Sequence, residues 1–102
     1  MTKLVVLYPP PKDPNEFERR YRKEHAPMVR DKMVGLRKFS AGRVLASPAG
    51  APPFARVAEL QFDSRQALDA ALASSEGQAV VAHALEISTG GPMTVLVVEE
   101  DS

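Results

Sequence analysis

The sequence predicts an α+β fold: a four-stranded antiparallel sheet with helices on one face, in the order β-α-β-β-α-β. Three observations lead there. Segments near 3–8, 36–45, 54–62 and 93–100 carry Val, Leu and Phe and are bounded by Pro, Gly, Ser or Asp. Apolar residues at helical spacing follow the first and the third of them. Each helical stretch opens on a capping signature.

The first strand, 3–8, is apolar on both faces, and Pro9-Pro10-Pro11 stops it. Asp13 then caps a helix, Pro14 takes the first helical position and Glu16 completes a capping box. That helix is expected to run to about His25, where Pro27 ends or kinks it by removing a donor and crowding the preceding turn. Met28 to Met33 continue as a displaced turn. Gly35 punctuates, and 36–45 forms a second, less purely apolar strand. Residues 47–53, Ser-Pro-Ala-Gly-Ala-Pro-Pro, are a loop. In the third strand Phe54, Arg56, Ala58, Leu60 and Phe62 share one face; Ala55, Val57, Glu59 and Gln61 share the other. Asp63 with Gln66 opens a second helix, striped by Ala67, Leu68, Ala71 and Leu72. Residues 74–77 interrupt it, and Ser75 with Gln78 opens a short helix through about Leu85. Gly90-Gly91-Pro92 turns the chain into the last strand, 93–100. This order is the ferredoxin-like split unit, whose last strand lies at an edge beside the first.

The 102 residues are expected to form one domain, 1–102, with a real but thin core. Thirteen basic residues balance thirteen acidic ones, so no nucleic-acid or membrane partner is expected. Without cysteine there is no disulfide, thiol nucleophile or thiolate metal site. No apolar run approaches the ~20 residues of a membrane span. The N-terminal stretch lacks the pattern of a signal peptide, and the expected location is cytoplasmic.

Residues 4–7 and 95–98 are apolar on both faces, where a sheet wetted on one side should alternate. An apolar sheet face of this kind marks an interface. A homodimer through the sheet faces would cover it and enclose a space between the two sheets. Alternatively, long side chains and the Pro-rich loop cover the face within one chain.

Phe17, Tyr21 and His25 fall at four-residue spacing and line one helix face. His25 is the first candidate for chemistry, because imidazole exchanges a proton near neutrality. Equally, its ring could cap carbonyls freed at the helix end. Tyr8, ending the first strand, could orient a carbonyl or enolate oxygen, or simply reach water. Tyr21 and Phe17 are candidates for the wall of a binding site, with core packing the simpler role. Glu59 faces the barrel interior if Phe54, Leu60 and Phe62 pack under the helices. A desolvated carboxylate there would be a base; the plainer reading is an ion pair with Arg37 or Arg43. His83 is a second acid/base, a haem ligand or a surface residue. With two histidines and no His-x-x-x-His spacing, no metal site is expected. There is no glycine-rich phosphate loop, dinucleotide fingerprint or Gly-x-Ser-x-Gly elbow, and no cofactor is expected.

The chain resembles the EthD family of the dimeric α+β barrel superfamily at three places: Tyr8-Pro9 with Asp13-Pro14-Asn15-Glu16-Phe17; Tyr21-Arg22-Lys23-Glu24-His25-Ala26-Pro27-Met28; and Ala58–Ser64 with Ser74-Ser75-Glu76-Gly77-Gln78. The resemblance implies the fold and dimerisation. Its relatives include cofactor-free monooxygenases, muconolactone isomerases, polyketide cyclases and haem-processing enzymes, and members are often labelled reductases. The chain departs from the family where a late-helix acidic residue is usual, in the segment Val81-Ala82-His83-Ala84-Leu85, and where Ser75 replaces a proline. Three functions compete. One is a cofactor-independent oxidoreductase or isomerase acting on a small apolar or aromatic carbonyl compound, with His25 as acid/base and Tyr8 assisting. The second is a non-catalytic or stress-linked dimer that holds such a ligand. The third is haem handling.

Overall fold

A computed structural model describes residues 1–101. The strands are β1 (Thr2–Tyr8), β2 (Lys38–Arg43), β3 (Arg56–Phe62) and β4 (Thr94–Glu99). They form one antiparallel sheet in the order β2-β3-β1-β4, so the last strand does lie at an edge beside the first. The architecture is the α+β, ferredoxin-like one. On β1 and β3 the period of two sends Leu4, Val6, Tyr8, Arg56, Ala58, Leu60 and Phe62 under the helices, all buried. The register pairs Leu4 with Leu60, Val6 with Ala58 and Tyr8 with Arg56, so the inward residues meet across the strands. With Phe17, Tyr21, Val29, Leu68, Val80 and Ile87 from the helices they make one core cluster.

Pro27 does not end the first helix. The helical path runs from Pro14 to Lys32 as α1 (Pro14–Arg20), a π-helical segment (Tyr21–His25) and α2 (Ala26–Lys32). The Ala26 N–H reaches back five residues to the Tyr21 carbonyl. Pro27 cannot bond the carbonyl four residues before it, and its ring would strike that carbonyl in a regular α-helix. Widening the preceding turn relieves the clash and lets the helix continue. One consequence is that His25 lies mid-helix rather than at a helix end, and its ring nitrogens are turned to Tyr8 and His83 instead of backbone carbonyls.

The capping expectations hold at Asp13, whose Oδ1 accepts from the Glu16 N–H. Glu16 does not close a box there; its carboxylate is turned to Arg19. The later caps fall one residue from the expected positions. Ser64, not Asp63, caps α3 (Arg65–Ala73), and Ser74, not Ser75, caps α4 (Ser75–Ile87). Gly77 is buried beside the end of α3, where a Cβ would stand 1.9 Å from the Ala71 carbonyl oxygen. Only glycine allows that approach between the two helices.

The other sheet face carries Val5, Leu7, Val57, Leu96 and Val98, with Lys3, Glu59 and Gln61 among them. No helix covers it. On β4, Val95 and Val97 pair with Val6 and Leu4 and so face the helix side, yet remain 48% and 43% exposed. The helices do not reach over this edge. Among the described residues, no helix is long and apolar enough to cross a membrane.

Candidate functional site

A cavity of about 220 Å³ lies between the helices and the sheet. Its wall is largely apolar, formed by Leu4 and Val6 of β1, Phe39 of β2, Leu60 of β3, Val29 of α2, Val80 of α4 and Val95 of β4 among others. Three side chains bring polar atoms to it: Tyr8, Tyr21 and His25. Tyr8 arrives as the last inward residue of β1. Tyr21 and His25 are the two ends of the π segment, whose wider turn sets their directions. The Tyr8 hydroxyl stands 3.4 Å from His25 Nε2, a long contact. Phe17 packs against Tyr8, ring centroids 5.3 Å apart, and Tyr21 stands edge-on to Tyr8 at 5.6 Å. Phe17 thus supports the site from behind.

Burial governs the proton chemistry here. His25 is 4% exposed, and desolvation, then the adjacent His83, pushes its pKa down to about 4. At neutral pH the ring is uncharged. Desolvation also pushes the Tyr8 phenol up, and takes the Tyr21 phenol to about 12, so both remain hydrogen-bond donors. The Tyr21 hydroxyl is buried and has no partner among the described residues. A buried donor without an acceptor is costly, and it marks a place where a ligand oxygen would be welcome.

His83 of α4 meets His25 edge to edge. The rings are within 8° of parallel, and their Nδ1 atoms are 3.0 Å apart. Its Nε2 lies 3.1 Å from Glu24 Oε1. Hydrogen bonds from His83 and Arg20 hold the Glu24 carboxyl below its ordinary pKa. Glu24 in turn is tied to Arg20 Nε at 3.0 Å.

Glu59 is not part of this site. It lies on the far sheet face, where Lys3 Nζ reaches its carboxylate at 2.8 Å. Its partner is neither Arg37 nor Arg43, because the alternation of β1 and β3 puts Lys3 on the same face. The other five residues singled out from the sequence, Tyr8, Phe17, Tyr21, His25 and His83, come together around the cavity. Sequence reasoning missed Arg56, Glu18 and Glu24. Arg56 is buried, its Nε donating to Glu18 Oε2 at 3.0 Å and its guanidinium lying 4.3 Å over the Tyr21 ring. Burial opposes the Glu18 charge, but Arg56 outweighs it and keeps that carboxyl below its usual pKa. The signal for Arg56 was present: it is the one charge on the inward face of β3. Among the described residues, no group of three or more His, Asp or Glu could hold a metal ion.

A protein-family model described as the EthD domain matches residues 9–86. An ethyl tert-butyl ether d (EthD) family protein from Bacillus halodurans is 33% identical and superposes with a TM-score of 0.92, covering 99% of both chains. An uncharacterized 11.0 kDa protein in the thcB-thcC intergenic region of Rhodococcus erythropolis is 29% identical, over 100% of this chain and 97% of that one. Two more distant structures share the fold alone. One is a dimeric ferredoxin-like protein of unknown function from Jannaschia, 15% identical at a TM-score of 0.74, over 97% and 98% of the two chains. The other is a point mutant of SnoaB, a cofactor-independent oxygenase from Streptomyces nogalater, 17% identical at a TM-score of 0.68, over 99% and 93%. The matched segment takes in both Tyr21–Met28 and the turn at Ser74–Gln78, and a whole-length superposition at one-third identity accompanies it. The chain belongs to the EthD family.

Proposed function

We propose that the protein is an enzyme that removes a proton from a small apolar or aromatic carbonyl compound held in the cavity, without a cofactor. His25 is the base and Tyr8 the hydrogen-bond donor. The observation that carries this reading is the Tyr8–His25 contact at the wall of a largely apolar cavity. At 3.4 Å that contact is weak enough to give way to a ligand. Tyr8 would then donate to the substrate carbonyl, and the Nε2 lone pair would take the adjacent proton. The enolate that forms is the common first step of isomerisation and of direct reaction with oxygen, and the SnoaB fold match is in keeping with it.

Two magnitudes narrow the substrate. An apolar cavity of about 150 Å³ accepts benzene, so about 220 Å³ suits a compound of one or two rings. A porphyrin is too large for it, and every ring nitrogen of His25 and His83 already has a partner, which disfavours haem handling. A base with a pKa of about 4 is always ready at neutral pH but weak. The proton it takes must already be acidified, as between two carbonyls or on a hydroquinone.

The test is deuterium uptake from D2O at the central carbon of benzoylacetone, a phenyl 1,3-diketone, followed by NMR. Wild type should exchange it faster than buffer. His25→Ala should lose that rate while keeping its fold. A His25→Ala variant that costs ~1 kcal/mol of stability yet exchanges at the wild-type rate would end the proposal.

The protein also acts, in this reading, as a homodimer. The uncovered sheet face with Val5, Leu7, Val57, Leu96 and Val98 packs on that of a second copy, as apolar faces of this kind do. Val98 shares the face of Lys3, whereas Val97 shares that of Leu4. Val98→Glu should therefore dissociate the dimer in light scattering and Val97→Glu should not. A wild type that is monomeric at micromolar concentration would refute it.

A further inference from the structure

With both imidazoles neutral, the hydrogen-bonded row Tyr8–His25–His83–Glu24 admits one arrangement of protons. Glu24 is ionised and can only accept, so His83 Nε2 carries the hydrogen of that bond. Neutral His83 then has a bare Nδ1. Two Nδ1 atoms 3.0 Å apart need one donor, and only His25 is left to supply it. With its proton on Nδ1, neutral His25 has its lone pair on Nε2, the nitrogen beside Tyr8 at the cavity wall.

We infer that His83 and Glu24 are positioning residues that lock His25 in the Nδ1–H tautomer and so present its Nε2 lone pair to the cavity. This rests on the reading of His25 as the base. The lock has independent support in its anchoring. Glu24 is held by Arg20, which also reaches Glu86 on α4, so the carboxylate is tied to both helices that carry the row. Without it nothing holds the proton on Nδ1, and the Nε2–H tautomer, which free histidine favours, points a hydrogen at the substrate. The arrangement has a second consequence. When His25 Nε2 takes a proton, the Nδ1–H can move to His83 Nδ1, and the positive charge then sits against Glu24 rather than in the apolar cavity. One proton enters and one moves on, and the reverse transfer restores the row. The other groups facing His25 are Tyr8 from β1 and Tyr21 from its own helix, with Arg56 of β3 over the Tyr21 ring.

The test separates this from the proposed activity. With only two histidines, ¹⁵N NMR of the rings at pH 7 reads both tautomers directly. Nδ1–H on His25 and Nε2–H on His83 are expected; Nε2–H on His25 would overturn the inference, whether or not any variant can be made. His83→Leu should release the His25 tautomer and lower kcat for exchange with KM unchanged. The loss should lie between tenfold and the about 10⁴-fold that a wrong histidine tautomer costs in a serine protease. His83→Gln can accept from His25 and donate to Glu24, so it should keep the tautomer and most of kcat. A His83→Leu protein with the His25 tautomer unchanged, or a His83→Gln protein as impaired as His83→Leu, would also overturn it. If the tautomers are as stated but wild type exchanges no substrate proton, the proposed activity fails and the lock stands.

Discussion

His25 should make the fold acid-labile in a defined window. In the unfolded chain the imidazole has its ordinary pKa of about 6.5. In the folded chain burial brings it to about 4. Between those values the unfolded chain binds a proton that the folded one refuses, so stability falls as pH falls through the window. The contribution is fully present above pH ~6.5 and lost by pH ~4, amounting to about 3 kcal/mol for a shift of this size. The comparison is with His25→Gln, which cannot titrate. Urea unfolding of both proteins at pH 7.5 and at pH 4, at one fixed protein concentration, gives four free energies. Carboxylates titrate in both proteins and largely cancel. Wild type should lose about 3 kcal/mol more than His25→Gln across the interval. Parallel losses would mean that the buried ring accepts its proton in place at no cost, and the desolvation argument would be wrong.

Arg56→Met leaves Glu18 without its buried partner and should cost about 3–5 kcal/mol in denaturant unfolding. The double change with Glu18→Gln should recover much of that loss. Glu59→Gln should leave the thermal shift produced by a cavity ligand unchanged, because that carboxylate lies on the far side of the sheet with Lys3. A ligand at a hundred times its Kd adds about 2.7 kcal/mol, large enough for the comparison to be decisive.

The fold was readable because its determinants are local. Alternation along 54–62, the proline stop after Tyr8 and the Asp13 cap each act within a few residues. The strand limits differ by at most two residues from those expected, and the reason is visible at β2. There the last pairing bond is Val44 N–H to the Ala55 carbonyl, while Leu45 is 84% exposed and follows no pattern. Of the Phe17–Tyr21–His25 stripe, Tyr21 and His25 reach the cavity wall for the same local reason, while Phe17 packs behind Tyr8. What escaped depends on tertiary geometry. Pro27 reads as a stop or a kink, since sequence does not reveal that the turn before it can widen. Glu24 adjoins His25 in the chain, yet serves it only through His83, 59 residues away from Glu24. Glu59 invited pairing with an arginine from the segment around β2, when Lys3 on the adjacent β1 already shared its face. His83 stood on an Ala-rich helix with nothing nearby in sequence to explain it.

The π segment makes the site separable from the scaffold. An α-helix advances about 100° per residue, and the extra residue in 21–25 is what offsets His25 from a regular helical phase. Shortening that segment by one residue together with Pro27→Ala would permit a uniform helix against the sheet and reset the imidazole's position relative to Tyr8. A change confined to that one turn would therefore alter the chemistry while sparing the architecture. The distinction between a working member and an inert one would then be invisible to any comparison that scores overall shape, and legible in one turn of one helix.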